Sequence, residues 1–300
     1  MRRAALIYNP RSGRQRHARV LDSIVAALRG GGFAVEPVAT TFPGEAIALA
    51  RARSLQAEVV FAFGGDGTVR EVASGLLGSP AVLGILPGGT VNLLARALGL
   101  PANPVAAAGL LGRLAARPLD VGLAGADPFL MMVSAGLDAS VLAALDTRLK
   151  WRFGQGAILY QGLREWWRYG YSQMAIRADG EALTATFAVI LNIPFYGGGG
   201  IRLAPAARPD DGWLDLVVLR SPGRAAALSF TLDLLRSAHL RRRDVEIRRV
   251  REVVFDGPAG APAQVDGDIC HDRLPLTVRL APQRLLVLAP QNEGGLTNGT

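Results

Sequence analysis

The amino-acid sequence predicts a three-layer α/β domain at the N-terminus and a β-sandwich-like domain after it. In the first half, short apolar runs alternate with amphipathic segments, the pattern of strands and helices that follow one another along the chain. In the second half, β-rich runs are separated by Gly, Pro and Asp, which is typical of an antiparallel sandwich or barrel. With 300 residues, half of them hydrophobic, the chain can bury two cores of ordinary size.

The first half reads as strands and helices joined by short turns. Apolar residues recur at helical spacing between positions 20 and 28, and the glycines at 30–32 end that helix. The predicted elements are, in order, strand 4–8, helix 16–29, strand 33–39, helix 44–55, strand 58–63, helix 68–77 and strand 81–86. This order predicts a parallel sheet with helices on both faces. Ligands of such sheets bind beyond the carboxyl ends of the strands, where the turns after Tyr8, Phe63 and Leu86 lie.

The second half contains short strands and two helices. The predicted strands are the runs FLMMVSAGL, SQMAIRA, FAVILNI, LDLVVL, REVVFDG, LTVRLAP and RLLVLAP. The two helices, 148–171 and 224–241, interrupt them. The pattern changes near residues 125–127, so the predicted parts are the domains 1–125 and 126–290 and a polar tail, 291–300. The last strand, RLLVLAP, could instead pack against the first domain, and this alternative is left open.

Composition excludes several kinds of site. The formal charge of +8 comes almost wholly from arginine, since Lys150 is the only lysine, and phosphate loops that require a lysine in a fixed motif are therefore excluded. Cys270 is the only cysteine, so neither an intrachain disulfide nor a Cys/His zinc site is expected. No apolar run approaches about 18 residues, so we expect any membrane contact to be peripheral. A basic chain suits polyanions, whether nucleic acid, anionic lipid or phosphorylated molecules.

The turn GGDGT at 64–68 has the features of a phosphate site. Glycines let a phosphate approach the backbone, and the helix that follows offers free N–H groups and a positive dipole end. Asp66 would repel phosphate unless a metal ion or water lies between them, so its presence indicates a metal. The alternative is a sharp turn in which Asp66 caps the helix.

Two further turns follow neighbouring strands in the same context. In LPGGTVNLLAR, at 86–96, Thr90 could bind a phosphate, whereas Asn92 could hold a sugar or cap a helix. NPRSG, at 9–13, also opens a helix. Arg11, Arg14 and Arg70 are the arginines placed to contact phosphate. Three such turns at one edge of a sheet predict a shared ligand site.

Six segments in order make the chain resemble the diacylglycerol kinase catalytic family, which includes bacterial soluble lipid kinases and, more distantly, sphingosine and ceramide kinases. The segments are NPRSG, GGDGTVREV, LPGGTVNLLAR, SAGLDASV, LAPAARPDDGWLDLVVL and QVDGD. The resemblance covers nearly the whole chain. GGDGT is shared with NAD kinases, so the last two segments point most specifically to lipid kinases.

The resemblance implies a fold of the NAD kinase and diacylglycerol kinase type, with ATP bound by the first domain. Thr40 is similar to a family threonine near the nucleotide, although Thr41 beside it could fill the role. The implied nucleotide-binding residues are Asn9, Thr40, Gly64, Gly65, Asp66, Gly67, Thr68, Val69, Arg70, Gly89, Thr90 and Asn92.

The resemblance also implies a metal site and catalytic carboxylates. Asp211, with the backbone carbonyls of Arg208 and Trp213, matches a structural magnesium site; the alternative is an Asp-Gly hairpin turn. Asp66 and Asp138 match a carboxylate network that positions the catalytic magnesium. The general base of the family ends a D-G-E motif.

Two positions depart from the family pattern. Asp268, which ends the tripeptide DGD, is the candidate base, and it is one methylene shorter than the usual glutamate; the alternative is a hairpin turn with solvated aspartates. At position 93 the family has a carboxylate, whereas this chain has leucine. Asp66 and Asp138 therefore lack the third member of their network.

Membrane contact is predicted from two basic segments. In the helix 148–171, Trp166 and Trp167 are interleaved with arginines, which suits a helix lying against headgroups; a core helix is the alternative. The arginine-rich stretch 240–251 could attract anionic lipid or form a surface strand.

These observations together predict a magnesium-dependent kinase that transfers the γ-phosphate of ATP to a hydroxyl of diacylglycerol or a related lipid. Two alternatives stay open: an enzyme of the NAD kinase type, and a non-catalytic nucleotide- or lipid-binding protein. The predicted partner is a lipid substrate at a membrane surface and not nucleic acid. The predicted location is cytoplasmic. Peripheral attachment to the inner membrane face and assembly as a homodimer are both left open.

Overall fold

A computed structural model describes residues 1–10, 17–144, 155–171, 173–198 and 200–290. The chain forms two compact units, one of Met1–Leu119 with the segment from Gln283 onward, and one of Asp120–Pro282. No helix among the residues described is both long and apolar enough to cross a membrane.

The first unit is a three-layer α/β fold, as the sequence predicts. Its elements are β1 Arg2–Tyr8, α1 His17–Gly30, β2 Phe33–Ala39, α2 Glu45–Arg53, β3 Val59–Gly64, α3 Asp66–Leu76, β4 Val82–Pro87, α4 Leu93–Ala97, α5 Pro104–Leu111, β5 Ala116–Leu119 and, near the end of the chain, β20 Leu285–Leu288. Strands β3 and β4 are buried along their whole length, as expected for strands covered by helices on both faces.

The sheet of this unit has the order β2-β1-β3-β4-β20-β5. The pairs from β2 to β20 are parallel, and β5 runs antiparallel to β20. Because parallel crossovers are right-handed, α1 lies on one face and both α2 and α3 lie on the other. Helix α1 packs against α5, and α2 packs against α3.

The second unit contains two six-stranded sheets and a two-stranded ribbon, in the orders β10-β9-β16-β19-β6-β7, β15-β14-β11-β8-β17-β18 and β12-β13. Its strands are β6 Gly122–Ala124, β7 Asp127–Phe129, β8 Met132–Ala135, β9 Met174–Ala178, β10 Glu181–Ala185, β11 Phe187–Leu191, β12 Phe195–Tyr196, β13 Ile201–Arg202, β14 Leu214–Leu219, β15 Val245–Val250, β16 Glu252–Asp256, β17 Ala263–Val265, β18 Asp268–Ile269 and β19 Leu276–Leu280. Residues of both six-stranded sheets share one apolar core, which includes Phe129, Ile190, Leu216 and Phe255. The predicted sandwich-like fold is confirmed.

Helices α6 Leu137–Ala143, α7 Gln155–Arg168 and α8 Arg224–Leu235 belong to the second unit, together with a 3₁₀ turn at His239–Arg241. The predicted helix 148–171 corresponds to α7, and its first residues, 148–154, lie outside the described part of the chain. The predicted helix 224–241 ends early at Leu235, because Ser237 has a left-handed φ of 56° that an α-helix cannot contain.

The division between the units differs from the predicted boundary at residue 125. It falls between Leu119 and Asp120, because β6 pairs with β19 of the second unit. The last strand, β20, pairs with β4 and β5 of the first unit. The predicted tail, 291–300, lies outside the described residues.

Candidate active site

The three turns singled out in the first half follow adjacent parallel strands at matching positions. Tyr8 lies opposite Phe63, and Phe63 lies opposite Leu86. The N–H of Asn9 donates to the Phe63 carbonyl over 3.4 Å. The turns after β1, β3 and β4 therefore begin side by side at the carboxyl edge of the sheet. The remainder of the first turn, with the predicted phosphate contacts Arg11 and Arg14, lies outside the described residues.

The GGDGT turn starts helix α3 directly after β3. Gly65 is the N-cap, with φ −82° and ψ 179°, and Asp66 is the first helical residue. A Cβ on Gly64 would lie 2.6 Å from the Thr68 hydroxyl oxygen, so only glycine leaves room for that side chain. Gly67 is exposed, whereas Val69 is buried and anchors the helix. The first-turn N–H groups of α3 thus sit at the end of a rigid strand, as a phosphate site requires.

The second glycine turn touches the first one. A Cβ on Gly89 would lie 2.6 Å from the Cα of Gly65, so the two backbones are packed against each other. Asn92 holds this turn closed: its Oδ1 accepts from the Gly89 N–H over 2.9 Å and its Nδ2 donates to the Gly89 carbonyl over 3.0 Å. Thr90 is exposed. Asn92 occupies the N-cap position of α4, but its side chain makes no capping hydrogen bond to that helix and braces the turn instead. The predicted sugar contact stays a prediction.

Asp66 connects the same two turns through its carboxylate. It accepts hydrogen bonds from the N–H groups of Leu93, over 3.1 Å, and Leu94, over 3.3 Å. It therefore caps α4 and not its own helix α3. Burial raises the pKa of Asp66, and the backbone N–H groups oppose that rise. Two backbone amides therefore already stabilise this carboxylate, and its part in a magnesium site stays a prediction.

Thr40 and Thr41, the two alternatives near the nucleotide, have different surroundings. Thr40 is buried, and its N–H donates to the Tyr8 carbonyl over 2.9 Å. The hydroxyl and the N–H of Thr41 both donate to the Glu45 carboxylate at the start of α2. The side chain of Thr41 is therefore committed to α2, and Thr40 remains the candidate. Arg70 is half-buried on α3.

In the second unit, Asp138 lies at the start of α6 and is held by three donors. The Ser134 and Tyr196 hydroxyls both donate to its Oδ2, the latter over 2.9 Å, and the Ala139 N–H donates to its Oδ1 over 2.8 Å. Burial raises the pKa of Asp138, whereas these hydrogen bonds oppose the rise. Burial and the nearby Asp138 carboxylate raise the pKa of Tyr196 well above 10, so this phenol remains a proton donor.

The DGD tripeptide forms the tight turn between β17 and β18. Asp266 has φ 50° and Gly267 has φ 88°, and Val265 pairs with Asp268; this is a two-residue type I′ hairpin. The Asp266 carboxylate is buried and accepts from the N–H groups of Leu130, Met131 and Met132.

The predicted hairpin turn thus forms at Asp266 and Gly267, but Asp266 is not a solvated aspartate, because its carboxylate is buried. That carboxylate ties the turn to β8, whereas Asp268 follows the turn and is exposed on β18.

The structure brings the elements that carry Asp138 and Asp268 together. Strand β8, which leads into α6, pairs with β17, so that Ser134 lies opposite Gln264. The Gln264 Oε1 accepts from the Gly267 N–H over 2.8 Å. Helix α6 also packs against both β17 and β18. The sequence did not predict these supporting residues. Ser134 lies within the segment SAGLDASV but was given no role, and no sequence motif marks Tyr196 or Gln264 as part of a site.

The segment of the predicted metal site lies in the turn before β14. Asp211 Oδ1 accepts from the Trp213 N–H over 3.1 Å, and Asp211 Oδ2 lies 3.1 Å from an Arg249 nitrogen. That ion pair lacks hydrogen-bond geometry, so Asp211 Oδ2 is buried without a hydrogen-bond donor. Arg208 uses its side chain to pair with Asp210, which leaves its backbone carbonyl as the predicted ligand.

Two buried aspartates near Asp211 were not predicted. Asp120 Oδ2 accepts from the Gly212 N–H over 2.7 Å, and Asp215 Oδ2 is buried without a hydrogen-bond donor. Burial raises the pKa of Asp215 to about 6, with Arg249 opposing and Asp211 adding to the rise. Arg249 is the cation that the structure places beside Asp211, and the Oδ2 atoms of Asp211 and Asp215, which lack hydrogen-bond donors, could accept a metal ion in addition. Among the residues described, no three His, Cys, Asp or Glu side chains converge as a complete metal site, so a metal here requires carbonyl or water ligands.

Known proteins resemble both parts of this chain. Residues 3–124 match the model of the diacylglycerol kinase catalytic domain, and residues 131–289 match that of the YegS C-terminal NAD kinase beta sandwich-like domain. A YegS-like protein of Chromohalobacter salexigens, classed as a probable lipid kinase, is 32% identical over 98% of this chain and 95% of its own. The diacylglycerol kinase of Bacillus subtilis is 29% identical over 89% of this chain and 90% of its own.

A solved structure extends the similarity to the fold. A Bacillus anthracis protein classed with the diacylglycerol kinases superposes with a TM-score of 0.82 and 25% identity, covering 96% of this chain and 95% of that one. The two family models match successive parts of the chain and together cover most of it. The chain therefore belongs to the family of diacylglycerol kinases and YegS-like lipid kinases, phosphotransferases that use an alcohol group as acceptor.

Proposed function

We propose that this protein is a magnesium-dependent kinase that transfers the γ-phosphate of ATP to the hydroxyl of diacylglycerol or a related lipid. The observation that carries the proposal is the pair of touching glycine turns, in which Gly65 and Gly89 pack together and Asp66 bonds to Leu93 and Leu94. Such a pair presents backbone N–H groups at the positive end of α3, the arrangement that favours a polyphosphate.

Phosphoryl transfer requires positioning, charge neutralisation and a base for the hydroxyl. In the proposed reaction Asp268 accepts the proton of the lipid hydroxyl while that oxygen bonds to the γ-phosphorus. The bond between this phosphorus and the bridging oxygen breaks, and ADP leaves with the electron pair. Asp268 is exposed on a strand whose turn is fixed by Asp266, which suits a base that must meet an external acceptor.

We propose that Asp138 takes part in the reaction with its carboxylate held in a fixed orientation by hydrogen bonds. Three donors on Ser134, Tyr196 and Ala139 fix both of its oxygens. Magnesium, when bound, would neutralise the negative charge of the phosphates. Asp211, with the carbonyls of Arg208 and Trp213, is the proposed holder of a second, structural magnesium, which the buried Oδ2 atoms of Asp211 and Asp215 support.

The test is incubation of the purified protein with labelled ATP, magnesium and a panel of lipids. We expect Asp268→Ala to lower turnover by about a hundredfold or more, the usual effect of losing a general base, with little change in thermal stability because the side chain is exposed. Asp22→Ala, at another exposed aspartate on α1, is the matched control and should keep full turnover. Chelation of magnesium should abolish labelling.

A variant of the neighbouring Asp266 separates effects on folding from effects on turnover. Asp266→Ala leaves three N–H groups of Leu130, Met131 and Met132 without their acceptor. We expect it to lower the free energy of unfolding by about 3 kcal/mol or more. Equal turnover in wild type and Asp268→Ala would refute the proposed base.

Two other outcomes would replace the proposal. ATP binding without labelling of any lipid would favour a non-catalytic nucleotide-binding protein. Position 93 is the reason for this alternative, because Leu93 stands where the family has a carboxylate. The leucine side chain is buried and offers no charge. Labelling of NAD instead of lipid would indicate an enzyme of the NAD kinase type.

A further inference from the structure

Helix α8 carries apolar side chains on two opposite faces. Phe230 and Leu234 are buried in the second unit. Leu228, Leu232 and Leu235 are 48%, 42% and 65% exposed, and their spacing of four and three residues places them on one stripe of the helix. A single exposed leucine is ordinary, but an outward-facing stripe of three on one helix indicates a surface that is covered in use.

Positive charge surrounds this stripe. Arg224 lies four residues before Leu228 and Arg236 lies four residues after Leu232, so both flank the same face. In the 3₁₀ turn and the segment after it, Arg241 and Arg243 are exposed, and Leu240 beside them is also exposed.

Acidic residues do not offset these arginines. Between residues 224 and 243 the sequence has five arginines and one acidic residue, Asp233. Asp233 is already paired with Arg242 over 2.7 Å. The arginines that flank the leucines therefore give the face a positive charge, which is complementary to an anionic partner and repels a second copy of the same face.

The neighbouring helix α7 adds an aromatic ring at the start of α8. Trp167 is 64% exposed, and the Arg224 guanidinium lies over its ring, 4.8 Å from the centroid. Arg224 also donates to the Trp167 carbonyl. Tryptophan beside arginine is the combination found where proteins meet the headgroup region of a bilayer.

The buried face of α8 leads toward the candidate catalytic residue Asp138. The ring of Phe230 lies 5.9 Å from that of Phe187, and the Phe187 ring lies 6.0 Å from that of Tyr196. Tyr196 in turn donates to Asp138. A partner bound on the outer face of α8 would therefore be separated from Asp138 by the helix and the three aromatic rings of Phe230, Phe187 and Tyr196.

We propose that the outer face of α8, formed by Leu228, Leu232, Leu235 and the flanking Arg224 and Arg236, docks on the surface of an anionic lipid bilayer. The leucines enter the headgroup boundary, Arg236 contacts the lipid phosphates, and Arg224 adds positive charge beside the Trp167 ring. The proposal extends the proposed function, since it explains how an acceptor that resides in a bilayer reaches this enzyme.

The test is co-sedimentation of the full-length protein with vesicles of phosphatidylglycerol and phosphatidylcholine, and with vesicles of phosphatidylcholine alone. We expect binding to the anionic vesicles, weakened by added salt. Leu228→Gln with Leu232→Gln should weaken that binding about tenfold or more, and Arg236→Glu should weaken it about fivefold or more.

Matched controls separate this surface from general effects of composition. Leu55→Gln alters a leucine that is 85% exposed in the first unit, and Arg29→Glu reverses an exposed arginine in the last turn of α1, much as Arg236 ends α8. Both controls should bind vesicles like the wild type. Equal binding by the leucine double variant and the wild type would overturn the proposal.

Two further measurements distinguish the competing explanations. If sedimentation without vesicles shows a wild-type dimer that the leucine variant converts to monomer while vesicle binding is unchanged, the face is covered by a second copy and the proposal is wrong. Turnover of a short-chain diacylglycerol dissolved below its aggregation limit should be the same in the leucine variant and the wild type. If neither the wild type nor the leucine variant phosphorylates this dissolved acceptor, the proposed function is wrong. The vesicle experiment then still tests whether the outer face of α8 binds the bilayer.

Discussion

At the scale of single residues, the carboxylates of this protein are sorted by their hydrogen-bond donors. Asp66 and Asp266 are held by backbone N–H groups, which fixes the turns that carry them. Asp138 is held mainly by two hydroxyls, and Asp268 is exposed. The four aspartates therefore divide into two that fix the backbone of a turn and two for which catalytic roles are proposed.

Tyr196 is the supporting residue with the clearest expected effect on turnover. Tyr196→Phe removes the 2.9 Å hydrogen bond to Asp138 while the ring still packs on Phe187. We expect kcat to fall about tenfold with the KM for ATP unchanged, because only the orientation of Asp138 is affected. Tyr171→Phe is the control, since the Tyr171 hydroxyl donates to the Trp166 carbonyl instead. An unchanged kcat in Tyr196→Phe would show that this hydrogen bond has no part in turnover.

Cys270 should be unreactive in the folded protein. It is 2% exposed, and burial together with the neighbouring Asp127 carboxylate raises its pKa to about 12. Because the thiolate is the reactive form, we expect alkylating reagents to label Cys270 at pH 8 only after denaturation. Mass spectrometry of native and unfolded samples checks this, and rapid native labelling at pH 8 would contradict the buried position.

At the scale of elements, the first unit is organised by glycine contacts between turns and the second by a hairpin. The close packing of Gly65 and Gly89 sets the spacing of two strand-to-helix turns. In the second unit, the hairpin at Asp266 and Gly267 sets the position of Asp268, the first residue of β18. Both turn residues have positive φ, which makes the turn as tight as two residues allow.

Replacement of Gly89 tests the contact between the turns. Gly89→Ala places a Cβ 2.6 Å from the Gly65 Cα, which forces the two turns apart. We expect the affinity for ATP to fall about tenfold or more, because backbone N–H groups must be placed closely to bind phosphate. Gly109→Ala is the control, since a Cβ at Gly109 in α5 meets nothing within 4 Å. Isothermal titration with ATP gives both affinities, and equal values would refute the role of this contact.

At the scale of the whole molecule, the chain returns to its first unit after completing the second. Strand β20 lies between β4 and β5, so the first sheet is complete only when the end of the chain is in place. The two units are therefore not independent segments of sequence, and the relatives that resemble this chain do so over nearly its full length.

The contribution of β20 can be measured with two adjacent substitutions. Val287 is 1% exposed and Leu286 is 40% exposed, so they project from opposite faces of the same strand. We expect Val287→Asp to lower the free energy of unfolding by about 3 kcal/mol or more, since it buries an unpaired charge. Leu286→Asp should have a much smaller effect. Thermal or urea unfolding compares them, and a loss in Val287→Asp as small as that in Leu286→Asp would show that β20 does not contribute to the first core.

The sequence by itself determined the fold class and the three turns at one sheet edge, because these follow from local periodicity and from residues that favour special backbone angles. It offered the hairpin at Asp266 and Gly267 only as one of two interpretations. Only the tertiary structure decided which groups surround each carboxylate. Asp66 bonds to amides 27 and 28 residues away, and Asp138 bonds to a tyrosine 58 residues away. Strand order and register bring such partners together, and neither is encoded in a local pattern. The same reason explains the division at Leu119, which depends on the pairing of β6 with β19.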